Sequence, residues 1–242
     1  MKLFNKTIDL HFFTKYEYVY NYAKIRTGNE TKPAWFKKLP TKAQRENDVN
    51  IPDSVLKACP GIQDHHKNVI QMPLWSDLML QIGPKGEDFY RWDFSDGVSG
   101  IREHPSKWIN NYKKPNEFQH LMVRSPWLVK CNKNVNFLLS QPNWHHFEFP
   151  TISVFKGVIN FYKQPFVNTQ LYVTRTSEPQ KILLPHGTPL LDITPLTDKK
   201  VKVHTHLINS LEFETMGSDS PYCKFTGTYY YTRALLKKCP YN

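Results

Sequence analysis

The sequence predicts a mainly β fold: an antiparallel β-sandwich or jelly roll, double-stranded β-helix-like, with few short helices and long loops. Three observations carry that expectation. Aromatic residues make up 14% of the 242 residues, with 13 Tyr, 15 Phe and 6 Trp, and such rings favour pleated, half-buried surfaces. Proline outnumbers glycine, 18 to 10, and the prolines are dispersed, as punctuation between short elements rather than a linker. Residues 134–195 read as five or six short strands with a turn signal at each join, the spacing of a sandwich or barrel.

A chain of this length can bury a large core as one unit. Residues 1–242 are therefore read as a single domain, with 1–60 either an N-terminal arm or edge strands packed on a β core at 61–242. Taken in order, residues 2–13 and 16–25 alternate as two strands, the second rich in Tyr, with a loop over 26–30. The proline-bracketed segment 32–40 reads as extended, since the residue before a proline avoids the helical region. Residues 41–52 are polar and read as a surface loop. Asp53 reads as the N-cap of a short helix over 54–59, stopped by Pro60 and Gly61. Residues 68–82 split at Pro73 into a strand and then a strand or turn of helix. A turn follows at 83–86 and a strand at 87–95. Residues 96–120 read as a long irregular loop anchored by Trp108 and Tyr112, and 125–131 opens the strand-rich half. After the central stretch, 201–215 reads as one long strand, 222–232 as the last strand and 234–238 as a terminal helical turn. Trp35, Trp75, Trp127 and Trp144, each near a proline, read as core anchors.

The formal charge of +11 admits an anionic partner such as nucleic acid. The basic runs are short, however, which fits a solvated basic surface. Cys59, Cys131, Cys223 and Cys239 are too far apart for a disulfide scaffold or a zinc ribbon, so reduced thiols in a cytosol-like compartment are expected. The N-terminus lacks the apolar run and cleavage site of a signal peptide, and no 18-residue apolar run suits a membrane span.

Several segments together resemble a known group. KPAWFKKLP (32–40), SVLKACPGIQD (54–64), VIQMPLWSDLML (69–80), SPWLVKC (125–131) and ILLPHGTPLLDITPL (182–196) are similar in order to an uncharacterised family of tailed-phage and bacterial proteins. The resemblance covers roughly residues 32–196. It implies a jelly-roll-like β core and a phage or bacterial origin, and it carries no established activity and no catalytic residue.

The residues themselves offer one sharp chemical candidate. His146 and Glu148 form the His-x-acid half of a facial triad, and His206 supplies the second imidazole, as in non-haem iron oxygenases. Residues i and i+2 on a strand face one side, so the spacing suits the fold. Iron(II) would be the cofactor. Lys224 or Arg233 would grip a 2-oxoglutarate carboxylate, although both lie poorly placed in sequence. A cupin-like set pairs His204 and His206 with Glu212 or Glu214, while a polar strand face explains the same pair without a metal. No nucleophile elbow, phosphate loop or dinucleotide fingerprint occurs. Tyr-rich segments interleaved with cations, YEYVYNYAK (16–24) and TYYYTR (228–233), resemble single-strand nucleic-acid platforms, and Tyr-rich edge strands packed on their neighbours are the commoner explanation. The sequence therefore favours a phage-encoded protein that acts by binding protein partners, in the virion or the host cytoplasm, with no cofactor. The iron-dependent oxygenase and single-stranded nucleic-acid binding stand as alternatives.

Overall fold

A computed structural model of the chain describes residues 7–40, 43–45, 48–53, 56–97, 100–103, 117–142, 144–145 and 151–218. The fold is mainly β, built of antiparallel-rich sheets packed as a sandwich with few short helices.

The first sheet contains β1 (Thr7–Thr14), β9 (Phe118–Cys131), β11 (Ile152–Val154), β13 (Phe166–Thr174) and β16 (Lys200–Leu207), in the order β11-β13-β9-β1-β16. A short β8 (Ile101–Glu103) shares with β1 the second edge of β9. The pairs are antiparallel except β1 with β16, which run parallel from Thr7 opposite Lys200 to Thr14 opposite Leu207. The second sheet has the order β12-β10-β15-β5-β2, with β2 (Arg26–Thr27), β5 (Ile70–Pro73), β10 (Phe137–Ser140), β12 (Gly157–Ile159) and β15 (Pro189–Pro195). The third joins β14 (Gln180–Leu184), β6 (Leu78–Ile82) and β7 (Tyr90–Phe94).

Alternation fixes which face goes inward. In β1, Ile8, Leu10 and Phe12 are buried, while Asp9 and His11 on the other face are half-buried. β13 alternates without a break, burying Val167, Thr169, Leu171 and Val173. The second sheet contributes Ile70, Met72, Phe137, Leu139, Leu191 and Ile193, and the third Leu78, Leu80 and Ile82, to one continuous core. Each fully buried aliphatic or aromatic side chain stabilises the fold by about 1.5–3 kcal/mol. A smaller cluster of Phe13, Leu128, Ile208 and Met216 forms on the outer face of the first sheet beneath α4 (Ser210–Ser218). Arg175, 1% exposed, donates to the carbonyls of Gly83 and Phe89 and to Gln119 Oε1 (2.6 Å). It ties the end of β13 to the β6–β7 connection.

Six strands, β10 to β15, lie within 134–195 where five or six were expected, and 68–82 divides at Pro73. Other local expectations are corrected, among them the loop over 96–120, which holds β8 and the first residues of β9. The Tyr-rich segment is helical over α1 (Glu17–Tyr22), because only Val19 and Ala23, one helical turn apart, go into the core while the Tyr rings stay at the rim. Segment 32–40 holds one turn, α2 (Ala34–Lys38). The pre-proline residues Lys32 and Leu39 are indeed extended, yet there is room for a turn between them. The polar loop carries a hairpin of β3 (Ala43–Arg45) and β4 (Asp48–Asp53), so Asp53 ends a strand instead of capping a helix. Pro60 opens α3 (Pro60–Asn68) where a stop was expected, since proline suits the first helical position, where no N–H is needed. The strand expected over 201–215 ends at Leu207. There Asn209 and Glu212 exchange side-chain-to-backbone hydrogen bonds and start α4. Trp75 and Trp127 are core residues at 2% and 1% exposure, whereas Trp35 is exposed and packs on Trp144. Trp108, Tyr112 and the elements expected at 222–232 and 234–238 lie outside the described residues.

Candidate functional site

His204 and His206 lie on the outer face of β16, in register with His11 and Phe13 of β1. Their rings form a ladder: His11 stacks on His204 at 4.7 Å, and His206 stacks on Phe13 at 4.7 Å. His11 Nδ1 stands 3.0 Å from His206 Nε2, and His204 Nε2 stands 3.1 Å from Asp9 Oδ1. The hydrogen bond from His204 holds the Asp9 carboxyl below its ordinary range, and burial holds His11 and His206 below theirs. The acids paired with these histidines in sequence are engaged elsewhere. Glu212 caps α4, and Glu214 accepts from Lys15 Nζ at 2.6 Å. Among the described residues no three His, Cys, Asp or Glu side chains are grouped to hold a metal ion. His146, Glu148, Lys224 and Arg233 lie outside the described residues. Cys59 and Cys131 are free thiols.

A polar row crosses the outer face of the second sheet. Arg26, Gln71, Asp192 and Ser140 are direct cross-strand neighbours on β2, β5, β15 and β10. Gln71 Nε2 donates to Asp192 Oδ1 (3.0 Å), while Gln71 Oε1 is buried with no hydrogen-bond partner. His65 of α3 brings Nε2 to 4.0 Å from Asp192 Oδ2. Burial outweighs the Gln71 hydrogen bond, pushing the Asp192 carboxyl up to about 6, and burial also holds His65 below its ordinary value. Its neighbour His66 is 2% exposed, bonded through Nδ1 to Thr31 Oγ1 (3.1 Å), and burial pushes it down to about 4. This row is a store of buried polarity and tunes the pH response of the fold.

A shallow, open cleft lies elsewhere. It holds about 550 Å³ and is lined by Tyr18, Tyr22, Trp75, Ser76, Asp77, Ser95, Asp96 and His186. Four segments build it: α1, the β5–β6 link, the end of β7, and the β14–β15 turn. Its floor is a pair of aromatic-Ser-Asp tripeptides, 75–77 and 94–96, at the open end of the β6–β7 hairpin. Trp75 and Phe94 stack at 5.8 Å, with 14° between their planes. The two serine hydroxyls bond each other at 2.7 Å. Each serine Oγ also accepts the backbone N–H of the opposite aspartate, Asp96 to Ser76 (3.1 Å) and Asp77 to Ser95 (3.2 Å). That reciprocal clasp sets the two carboxylates at the cleft. Asp77 Oδ1 accepts the His186 N–H (2.6 Å), and Asp96 Oδ2 accepts the Tyr18 O–H (2.7 Å).

The turn that carries His186 is held by backbone bonds. The Leu74 N–H donates to Thr188 O (2.7 Å), and the Gly187 N–H donates to Leu74 O (2.8 Å). Gly187 has φ +80°, a conformation that favours glycine. Sequence reasoning passed over this site. The signal available to it was the repeat Trp75-Ser76-Asp77 and Phe94-Ser95-Asp96, bounding two alternating strands. No helix among the described residues is long and apolar enough to cross a membrane. No family model, curated protein or solved structure matches the chain.

Proposed function

We propose that the chain works by binding, and that its ligand seats in the cleft between α1 and the paired aromatic-Ser-Asp turns. One observation carries this reading. The eight described lining residues each bear a hydrogen-bonding side chain, they come from four separate segments, and hydrogen bonds hold Tyr18, Ser76, Asp77, Ser95 and Asp96 in place. A volume of about 550 Å³ lies in the range of ligand sites, and preorganised polar groups bind without an ordering cost. The setting we propose is phage-encoded, on the particle or in the infected host's cytoplasm with a protein partner. The resemblance of residues 32–196 to an uncharacterised family of tailed-phage and bacterial proteins is what supports that setting, and a mass-spectrometric census of purified virions tests it.

The site is tested by mapping backbone amide shifts against a library of small polar fragments. Hits are expected to move residues 18–22, 75–77, 95–97 and 185–188 together. Hits confined to the His11/His204/His206 ladder or to the basic surface would overturn this assignment.

A further inference from the structure

Resting on the reading of the cleft as a binding site, we propose that its ligand is a saccharide. A neutral pyranose ring would stack on the aromatic wall, its hydroxyls taken by the paired carboxylates and serines.

Four features of the lining select this class. Tyr22 stands at the rim, 74% exposed, with Tyr18 beside it on α1 and Trp75 below. An exposed Tyr ring next to a cleft, with only two side-chain torsions to fix, offers a flat apolar face matched to the C–H face of a sugar. Asp77 and Asp96 are acceptors, and a bond from a hydroxyl to a carboxylate is roughly twice as strong as one between neutral groups. The Tyr18 hydroxyl and the His186 N–H already bond these carboxylates, which fixes them for a hydroxyl-bearing guest. The third feature is what the lining omits: among the described residues no Lys or Arg lines the cleft, which disfavours a phosphate or carboxylate ligand. Among the described residues no aliphatic side chain lines it either, which disfavours a lipid or other apolar guest. Finally, the net charge of +11 opposes the long-range approach of a free cation. A neutral, many-hydroxyl ligand satisfies all four.

The test is a titration followed by amide shifts and saturation-transfer NMR. The probes are the methyl glycosides of glucose, galactose, mannose and N-acetylglucosamine, with tetramethylammonium and methyl phosphate run in parallel. At least one glycoside is expected to bind with a roughly millimolar Kd, shifting the amides of 18–22, 75–77 and 95–97. Tyr22→Ala, at an exposed position that leaves folding intact, is expected to weaken that binding about tenfold. Asp77→Asn, which keeps an oxygen for the His186 N–H, is expected to weaken it comparably. If the glycosides leave these amides unmoved while tetramethylammonium or methyl phosphate moves them, the saccharide class is wrong and the binding site stands. If no probe moves them, the binding reading falls as well. Glycoside binding that is indifferent to Tyr22→Ala and Asp77→Asn places the sugar elsewhere and overturns the proposal.

Discussion

Replacing Asp192 by Asn is expected to change how the stability of this protein depends on pH, by an amount that follows from burial. Asp192 is 3% exposed, and its carboxyl is pushed from an ordinary 3.8 up to about 6. The folded state therefore holds the proton more tightly than the unfolded chain. The stabilisation is fully present below pH 3.8 and is lost as pH rises through about 6. A shift of about two units at 1.36 kcal/mol each corresponds to about 3 kcal/mol. A protonated carboxyl can also give Gln71 Oε1 the donor it otherwise lacks, and Asn offers that donor at every pH. Asp192→Asn should thus gain about 3 kcal/mol on the wild type between pH 4 and pH 7, most of it between pH 4 and 6. Urea unfolding of both proteins at half-unit pH steps measures this, and groups remote from Asp192 cancel in the difference. A difference that stays flat across the range would refute the reasoning.

The remaining predictions concern other buried or constrained groups. His66 has the opposite sign: lowered from 6.5 to about 4, it contributes stability above pH 6.5 that is lost as pH falls toward 4. His66→Gln should remove a loss of about 3 kcal/mol from the acid limb, read in the same titration. The Asp192 and His66 slopes oppose each other between pH 4 and 6, so the wild type should be flatter there than either variant. Arg175→Leu strands the Gly83 and Phe89 carbonyls and Gln119 Oε1, and should destabilise by about 3–5 kcal/mol in denaturant titrations. Arg175→Lys should recover little of this, because an ammonium cannot reproduce the guanidinium fork. Gly187→Ala puts a Cβ at φ +80° and 3.5 Å from Arg26 Nη2, and should cost about 1–2 kcal/mol in the same assay.

The strands were legible because their faces differ. Along residues 166–174 burial alternates without exception, and Val167, Leu171 and Val173 read as inward, while polar Thr169 shares their face. The helices were harder because each is one or two turns long, too short for a helical period to outweigh a strand pattern. In α1 the Tyr residues at 16, 18 and 20 alternate as in a strand, and only the Val19–Ala23 spacing reveals the helix. Proline misled in both directions, since Pro60 starts α3 and Pro33 directly precedes α2. The parallel pairing of β1 with β16 joins segments about 190 residues apart, and no local pattern encodes it. It also creates the histidine ladder, since His11 is brought to His204 and His206 only through that register. The cleft was half legible. Its two aromatic-Ser-Asp turns stand in the sequence, but Tyr18, Tyr22 and His186 reach them only through long-range packing.

Hydrogen–deuterium exchange, with and without the tightest-binding ligand found, tests most directly whether the aromatic-Ser-Asp cleft is the binding site. Protection is predicted at residues 18–22, 75–77, 95–97 and 185–188 together, with the β16 face unchanged. Protection along Lys199 to His206, with the four cleft segments exchanging as in the free protein, would contradict it.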